Sequence, residues 1–304
     1  MDLMQTRAII DEVDRGILEL FCRRMDLARD VARAKMNTGM PVFDPTRERA
    51  KLHDVAERAP DHLKDQAVAL FSLLMSMNKA EQLSIMSSAK EGSRAARSCA
   101  LAQPLDTAFP STATVCCLGA HDDRSQLAAY KVLRKPDISF APTPEDVFHA
   151  VATGSCEFGV LPIEASASGL NYAVYDLLES YGCSIVRSAR LNAEQGAQHP
   201  QAICTRFVVI SGTPAVYLDA TRSSIRLTLT NDPGALNRVL ERIFALNIDM
   251  LRLDSRPVPD SDFERKLYVD LSCPAASPAF PKLLDSLEDV CSDMAYLGSY
   301  SEIL

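Results

Sequence analysis

The chain has 304 residues, with 32 Lys and Arg residues against 40 Asp and Glu residues, and its formal net charge is −8. A hydrophobic fraction of 47% and a charged fraction of 24% supply enough apolar side chains for buried cores, which excludes fibrous and intrinsically disordered classes. Because the total is acidic and contains no block of Lys or Arg, we expect neither nucleic-acid nor membrane binding, and a small molecule or a protein is the expected partner.

Apolar patterning divides the chain into segments, although length alone favours about two domains of roughly 150 residues. From residue 5 to about 86, apolar residues recur at steps of three and four, with breaks near residues 39–41 and 59–61, which predicts three helices. Residues 87–111 have the Ala-, Ser- and Pro-rich composition of a linker. Residues 112–212 alternate short apolar runs with helical patterns, which predicts an α/β unit. Residues 222–304 follow the β-α-β-β-α-β order of a ferredoxin-like fold.

The predicted elements after the linker follow in chain order. The strands are 114–118, 138–140, 158–161, 184–186, 207–210, 225–230, 248–253, 267–271 and 294–298. The helices are 126–133, 144–152, 172–181, 235–246 and 280–290. A polar stretch from Leu191 to Ala202 reads as a loop between two of the strands.

The cysteines bear on whether the protein binds a metal, and the apolar segments bear on where in the cell it is located. Nine cysteines are present without a C-x-x-C pair at metal-site spacing, which predicts reduced thiols and no metal. The start of the chain lacks a basic region followed by an apolar stretch, and no window approaches about 18 uninterrupted apolar residues. We therefore expect a cytoplasmic protein with no signal peptide, no membrane span and no cofactor.

The first predicted helix carries a cation inside its apolar seam. Arg24 lies among apolar residues that recur at steps of 3 or 4, namely Ile10, Val13, Ile17, Leu20, Leu27, Val31 and Ala34. At about 100° per residue, Lys35 falls within roughly 20° of Arg24, and Arg7 lies at the edge of the same face. Such cations need an anionic partner. For a single Arg, pairing with a local acid or extension to solvent explains the pattern equally well.

The spacing of these cations bears on assembly. Arg7 and Arg24 are about 25 Å apart along the helix, so one small ligand cannot bridge them within one chain. If both serve one site together with Lys35, Arg7 must come from a second, antiparallel chain. A helix this long in a three-helix unit also leaves its seam uncovered in a monomer. The segment therefore predicts an intertwined homodimer.

Polar residues on the next two helices extend the pattern. Asp44-Pro45 is a typical helix start, so capping is the simplest role for Asp44, whereas Arg47 and Glu48 have no such explanation. Asn78 and Gln82 stand four residues apart beside an apolar face, and taken alone this spacing favours partly exposed amides.

Together these positions carry a family resemblance. With the run Pro-Val-Phe-Asp-Pro-Thr-Arg-Glu-Arg at 41–49, residues 5–86 resemble the all-helical chorismate mutases. The matching active-site positions are Arg7, Arg24, Lys35, Asp44, Arg47, Glu48 and Gln82. Asn78 is a departure, because the best-known members have Ser there, but both side chains donate hydrogen bonds to carboxylates.

The resemblance implies how each residue acts on chorismate. The rearrangement to prephenate is intramolecular, so it requires no nucleophile, metal or redox cofactor. Arg24 and Arg7 of the other chain would bind the two carboxylates, and Lys35 and Gln82 would donate to the ether oxygen. The remaining roles are ordering of the site by Asp44 and Arg47, acceptance from the ring hydroxyl by Glu48, and support of a carboxylate by Asn78.

The middle segment resembles the prephenate dehydratase lobe, and the order of segments is that of the bifunctional P-proteins. The resemblance rests on Phe-Gly-Val-Leu-Pro-Ile-Glu at 158–164, Ser168-Gly169 and Val-Tyr-Asp-Leu-Leu at 174–178. The family's Leu-Gly-Pro-x-Gly-x-Ser loop is replaced by Leu-Gly-Ala-His-Asp-Asp-Arg-Ser at 118–125, and its Glu-Asn-Ser by Glu-Ala-Ser at 164–166. Thr205-Arg206-Phe207 survives, and this Thr is catalytic in the family.

Length argues against a working dehydratase. The family's active site lies between two lobes, and the second would have to be inserted between Leu191 and Ile203, where only a polar loop remains. We therefore interpret 112–212 as a non-catalytic remnant in which Thr205 and Arg206 are structural. His121, His149 and His199 show no triad or metal spacing, so surface or loop positions are expected.

The last segment resembles the ACT regulatory domain of the same proteins. Gly234-Ala235-Leu236-Asn237 matches its Gly-Ala-Leu motif, and Asp254-Ser255-Arg256-Pro257 replaces the usual Glu-Ser-Arg-Pro. In the family these two stretches line a phenylalanine site at a domain interface. Because Asp-Pro-Gly before a helix is also ordinary turn chemistry, a purely structural role for Gly234 stays open. Asn237 and Asp254 alter the rim of that site, so phenylalanine, prephenate and no effector at all are each compatible with the sequence.

The sequence thus predicts three joined units: residues 1–86 as an all-α chorismate mutase domain, 112–212 as a single dehydratase lobe and 222–304 as an ACT domain. The first functional hypothesis is a homodimeric chorismate mutase regulated by an aromatic metabolite. A bifunctional enzyme that retains dehydratase activity, and a non-catalytic metabolite sensor, are the alternatives.

Overall fold

The computed structural model describes residues 2–38, 40, 42, 44–87, 103–121, 123–165, 169–192, 204–230, 234–258, 264–288 and 290–304. Most of the predicted linker and most of the polar loop before Ile203, including His199, lie outside these ranges. Gly39 and Pro41 of the first helix break, and Phe43 after it, also lie outside them.

Three long helices form the N-terminal unit, as predicted. They are α1 (Leu3–Thr38), α2 (Pro45–Arg58) and α3 (Lys64–Ser87), with a short 3₁₀ turn at Asp61–Leu63 before α3. Helix α2 begins where predicted because Asp44 is extended, caps the helix and is followed by proline. Both α1 and α2 pack against α3, so α3 is the helix that the other two share as a neighbour.

An α/β unit follows the short strand β1 (Gln103–Pro104). Its elements are β2 (Thr112–Leu118), α4 (Arg124–Val132), β3 (Lys135–Ala141), α5 (Pro144–Ala152), β4 (Phe158–Ala165), β5 (Gly169–Leu170), α6 (Tyr172–Tyr181), β6 (Ser184–Asn192) and β7 (Cys204–Ser211). β2 pairs in parallel with β3 and β4, whereas β7 pairs antiparallel with β4 and β6. Helices cover the sheet, and its central residues, such as Val160 and Val208, are fully buried.

The C-terminal unit has the predicted ferredoxin-like order. After β8 (Ala215–Val216) come β9 (Arg222–Thr230), α7 (Ala235–Ala245), β10 (Met250–Pro257), β11 (Glu264–Leu271), α8 (Ala279–Leu287), β12 (Asp293–Tyr300) and β13 (Glu302–Ile303). The antiparallel sheet has the order β10-β11-β9-β12. One core, built from residues such as Leu227, Ile243 and Leu284, joins the sheet to α7 and α8.

The α/β and C-terminal units share a core instead of standing apart. Tyr268, Leu297 and Tyr300 of the C-terminal unit lie in the same buried cluster as Tyr175 and Leu178 of α6. Strand β13 pairs in parallel with β6 and becomes the edge strand of the α/β sheet. Helix α3 packs against both α7 and α8, so the helical unit also contacts the C-terminal unit.

Several predicted bounds were wrong. Strand β6 continues to Asn192, so Leu191 and Asn192 belong to a strand and not to the polar loop. Its register partners on β7 run as far as Cys204, which explains the extension. Helix α8 ends at Leu287, three residues before the predicted end. The two-residue strands β1, β5, β8 and β13 were not predicted, because two residues carry no periodicity.

Candidate active site

The two cations of the α1 seam are bonded to backbone carbonyls of α3 and of the connection between α1 and α2. Arg24 Nη1 donates to the carbonyl oxygen of Leu74 on α3 at 2.7 Å, and Lys35 Nζ donates to the carbonyl oxygen of Val42 at 2.8 Å. Partial burial lowers the pKa of Arg24 and also that of Lys35, for which Asp44 opposes the shift and Arg47 adds to it. Neutral carbonyls satisfy donors but supply no negative charge, so both cations are still able to bind an anion.

The start of α2 places three further predicted residues beside Lys35. The backbone N–H of Arg47 donates to Asp44 Oδ1 at 3.0 Å, so Asp44 does cap the helix. Asp44, Arg47 and Glu48 all lie close enough to Lys35 to influence its pKa. Capping and an active-site position are therefore compatible for Asp44, because its carboxylate serves the helix end while its charge acts on Lys35.

The two amides of α3 are more buried than their spacing suggested. Gln82 is 8% exposed and Asn78 is partly buried. The interpretation of these residues as partly exposed amides is therefore wrong for Gln82. Within the described part of the chain, Asn78 Oδ1 and Gln82 Oε1 are buried without a hydrogen-bond partner. An amide rotated by 180° exchanges its oxygen and nitrogen, so each offers either an acceptor or a donor to a ligand. A buried amide oxygen without a partner is costly, so a ligand that bonds to these groups would be stabilised by doing so.

Lys79 was missed by the sequence reasoning. Its Nζ lies 3.3 Å from the carboxylate oxygens of Glu48, and its side chain is 14% exposed. A local signal existed, because Lys79 directly follows Asn78, but one further lysine on a helix is normally a solvated residue.

Arg7 lies apart from the other candidates, on the exposed first turns of α1. The same half of α1 exposes a row of large apolar side chains, namely Ile10 (51%), Val13 (55%), Ile17 (60%) and Leu20 (67%). The hydrogen bonds that Arg24 and Arg29 of α1 donate to α3 lie in the second half of α1, where Ala28 and Ala32 are also buried. The predicted seam is therefore present in the sequence but uncovered within one chain.

A concave site lies in the α/β unit. A cavity of about 350 Å³ is lined by Leu118, Asp123, Arg124, Ser125, Pro162, Glu164, Ala165, Gly169, Asn171, Thr205 and Phe207. Arg124 Nη1 donates to Thr205 Oγ1 at 2.7 Å, and its Nη2 donates to the Leu191 carbonyl at 2.8 Å. The Thr205 hydroxyl is thus already bonded to the guanidinium of Arg124, the first residue of α4.

Arg206 has a structural position, as expected. It is 4% exposed and pairs with Asp270 at 2.7 Å and with Glu302 at 3.1 Å, both from the C-terminal unit. Arg190 and Arg222 also pair with Glu302, each at 3.0 Å. This arginine-carboxylate cluster joins the α/β unit to the C-terminal unit. His121 and His149 are exposed, consistent with the surface positions predicted for them.

The two predicted effector stretches differ in their surroundings. Strands β9 and β10 run parallel with β11 between them, so residues 234–237, which come after β9, and residues 254–257, the last four of β10, belong to the same end of the sheet. Gly234 adopts φ +81°, which glycine tolerates without strain. Asp254, however, accepts from the Tyr172 hydroxyl, and Arg256 pairs with Asp176 of α6. The side chains of Asp254 and Arg256 therefore contact the α/β unit of their own chain.

Comparison with known proteins places this geometry in a family. The model of chorismate mutase type II matches residues 6–83, and that of prephenate dehydratase matches residues 115–196. The chain is 23% identical over 384 aligned positions to the bifunctional chorismate mutase/prephenate dehydratase of Escherichia coli K12, covering 98% of this chain and 96% of that protein. The chain belongs to the P-protein family, the bifunctional chorismate mutase/prephenate dehydratases.

Other relatives match parts of this P-protein. The chorismate mutase of Methanocaldococcus jannaschii is 37% identical over 82 residues, which cover 26% of this chain and 83% of that protein. The solved prephenate dehydratase of Staphylococcus aureus shares the fold at a TM-score of 0.51 and 18% identity, covering 62% of this chain and all of that one. That of Arthrobacter aurescens, solved with L-Phe, has a TM-score of 0.52 and 16% identity, covering 62% and 90%.

The alignment also shows a deficit. Because this P-protein has only 304 residues, at least 80 of the 384 positions aligned with the Escherichia coli protein have no counterpart in it. Within the described ranges, no group of His, Cys, Asp and Glu side chains could hold a metal ion. Likewise, among the helices described, none is both long and apolar enough to cross a membrane.

Proposed function

We propose that this P-protein is a chorismate mutase that rearranges chorismate to prephenate in its helical unit. The observation that carries the proposal is the combination of two partly buried cations on α1 with two buried amide oxygens on α3 that have no partner among the described residues. Arg24 is bonded to α3, Lys35 lies beside the start of α2, and the amides belong to Asn78 and Gln82. A dianion with an ether oxygen requires such a set: fixed positive charges and neutral donors in a partly dry site.

The roles follow from the chemistry of the rearrangement. The ether C–O bond breaks while a C–C bond forms in the same molecule, and negative charge develops on the ether oxygen. Arg24 binds one carboxylate, and Lys35 and Gln82 donate to the ether oxygen as its charge grows. Glu48 accepts from the ring hydroxyl, with Asp44 and Arg47 ordering the start of α2 around it. The direct test is consumption of chorismate, with formation of prephenate, by the purified full chain.

The lowered pKa of Lys35 predicts that the rate of the reaction falls at high pH. The donor must be protonated, and because its pKa is lowered, the rate is expected to fall as pH rises at values below the ordinary lysine value of 10.5. Lys35→Arg keeps the charge throughout this range and should remove the alkaline limb, although its kcat will be lower because the guanidinium has a different shape. The measurement is the pH profile of kcat/KM for both proteins. Identical alkaline limbs would contradict the role of Lys35.

The exposed half of α1 supports an intertwined homodimer. A second chain laid antiparallel on the row from Ile10 to Leu20 would cover its apolar side chains and bring Arg7 toward the other chain's Arg24. Each site would then contain Arg7 from one chain and Arg24 from the other.

Mixing two inactive variants tests this sharing. Arg7→Ala and Arg24→Ala homodimers should each be nearly inactive. After joint refolding, about half of the dimers are mixed, and one of the two sites in each mixed dimer is intact, so about a quarter of the wild-type rate should return. No recovery, in dimers shown to be mixed by differential tagging, would mean that Arg7 does not complete the neighbouring site.

We further propose that dehydratase activity is lost. Support comes from the aligned positions missing from the chain and from the hydrogen bond between Arg124 and Thr205. The cavity beside Thr205 favours the alternative, an enzyme that retains both activities. An assay for phenylpyruvate after adding prephenate separates the two, because only the bifunctional enzyme forms it.

Regulation by an aromatic metabolite is the remaining part of the proposal. The motif residues at 234–237 follow the end of β9 and begin α7, in a unit with the topology expected of an ACT domain. Phenylalanine and prephenate are the candidate effectors.

A further inference from the structure

Lys79 lies where the helical unit meets the C-terminal unit. Its ammonium group is 3.3 Å from Glu48 of α2 and 3.8 Å from Glu241 of α7. Glu48 belongs to the proposed mutase site, whereas Glu241 comes from a unit nearly 200 residues later in the chain. One partly buried cation is therefore shared between two acids of different units.

The contact with Glu241 is part of a packed interface. Helix α3 packs against both α7 and α8, which fixes the position of Glu241 relative to Lys79. The side chains of Lys79, Glu48 and Glu241 are 14%, 24% and 30% exposed, so solvent screens them less than it screens a surface pair. Glu241 is also held by Asn237, whose amide donates to its Oε1 at 2.7 Å from one turn earlier on α7.

We propose that Lys79 is a positioning residue for Glu48 and that Glu241 of the C-terminal unit regulates it. Lys79 orients the Glu48 carboxylate for the substrate hydroxyl and offsets its repulsion toward a dianionic substrate. Glu241 draws on the same ammonium, so the charge of Glu48 is less well offset and substrate binding is weaker. This inference rests on the proposed mutase function and assigns the C-terminal unit an electrostatic part in it.

The arrangement also gives a route for control. Asn237 belongs to the Gly-Ala-Leu-Asn stretch, and a ligand that takes its amide releases Glu241 from that hydrogen bond. Glu241 is then free to pair more closely with Lys79, which leaves Glu48 less well held. Coupling of this kind runs through side chains in contact and is measurable by double-mutant cycles.

The first experiment compares kcat and KM for chorismate in the full-length wild type, Lys79→Gln, Lys79→Arg and Glu241→Gln. Lys79→Gln should lower kcat/KM about tenfold, and Lys79→Arg should restore it to within about threefold because the charge is kept. Glu241→Gln should lower KM about two- to threefold with kcat unchanged. Matched controls are Lys282→Gln on α8 and Glu288→Gln just after it, both exposed, which should match the wild type.

The second experiment shows whether the residues act through one another. In a Glu48→Gln background, Lys79→Gln should change kcat/KM less than about twofold, and in a Lys79→Gln background Glu241→Gln should leave KM unchanged. Additive effects in both cycles, or a Glu241→Gln variant that matches Glu288→Gln, would overturn the inference. A wild type that does not consume chorismate would instead refute the proposed function, so the two failures are distinguishable.

Discussion

Replacement of Arg24 by alanine is expected to reduce kcat/KM for chorismate by about 10²–10³-fold, because Arg24 binds a substrate carboxylate and its loss leaves the reacting atoms poorly positioned. The guanidinium is partly buried and anchored on the Leu74 carbonyl, so its position is fixed before substrate arrives. Steady-state kinetics on the purified variant measure the loss.

Arg23 supplies the matched control for that variant. It is adjacent in sequence but exposed, so Arg23→Ala removes the same side chain from the same helix without touching the site. We expect kcat/KM within about twofold of the wild type, since surface substitutions of this kind have small effects. Equal losses of kcat/KM in the two variants would show that the loss comes from disturbing the helix and not from removing the Arg24 side chain.

Substitution of Gly298 by alanine is expected to disrupt the junction between the α/β and C-terminal units. Gly298 in β12 has φ +139°, and an added Cβ would lie 2.1 Å from the carbonyl oxygen of Ile185 in β6. Because backbone atoms on both sides would have to move, we expect a loss of about 3 kcal/mol or more. Thermal unfolding followed by circular dichroism should show a midpoint lower by about 6–12 °C.

A Gly182→Ala variant is the control, because it measures the cost of the backbone conformation without a steric clash. Gly182 also has positive φ, +64°, but an added Cβ would meet nothing within 4 Å. Gly182→Ala should therefore lose only about 1–2 kcal/mol, the ordinary cost of a left-handed residue. If Gly298→Ala were no less stable than Gly182→Ala, the close approach of β12 to β6 would not be a property of the protein in solution.

Local patterns predicted most of the secondary structure, because each signal acts over a few residues. Asp44 with Pro45 marked the start of α2, and the helices at 144–152 and 172–181 have the predicted bounds. Alternation and turn residues likewise predicted the order of strands in the C-terminal unit. The bounds of β6 could not be predicted, since its extension to Asn192 depends on pairing with β7.

Contacts between units were beyond the reach of sequence patterns. Thr205-Arg206-Phe207 survived as a motif, but the burial of Arg206 against Asp270 depends on how two units dock. Arg256 was assigned to an effector site, yet its pairing with Asp176 shows that the same residue type serves an interface. Lys79 was missed for the same reason, because neither Glu48 nor Glu241 is near it in sequence.

The most direct test of the account is to follow chorismate and prephenate together after adding purified wild-type protein, with Arg24→Ala as the comparison. We expect rapid loss of chorismate matched by an equal gain of prephenate in the wild type, and a rate about 10²–10³-fold lower with the variant. The same slow, uncatalysed decay with both proteins would contradict the account.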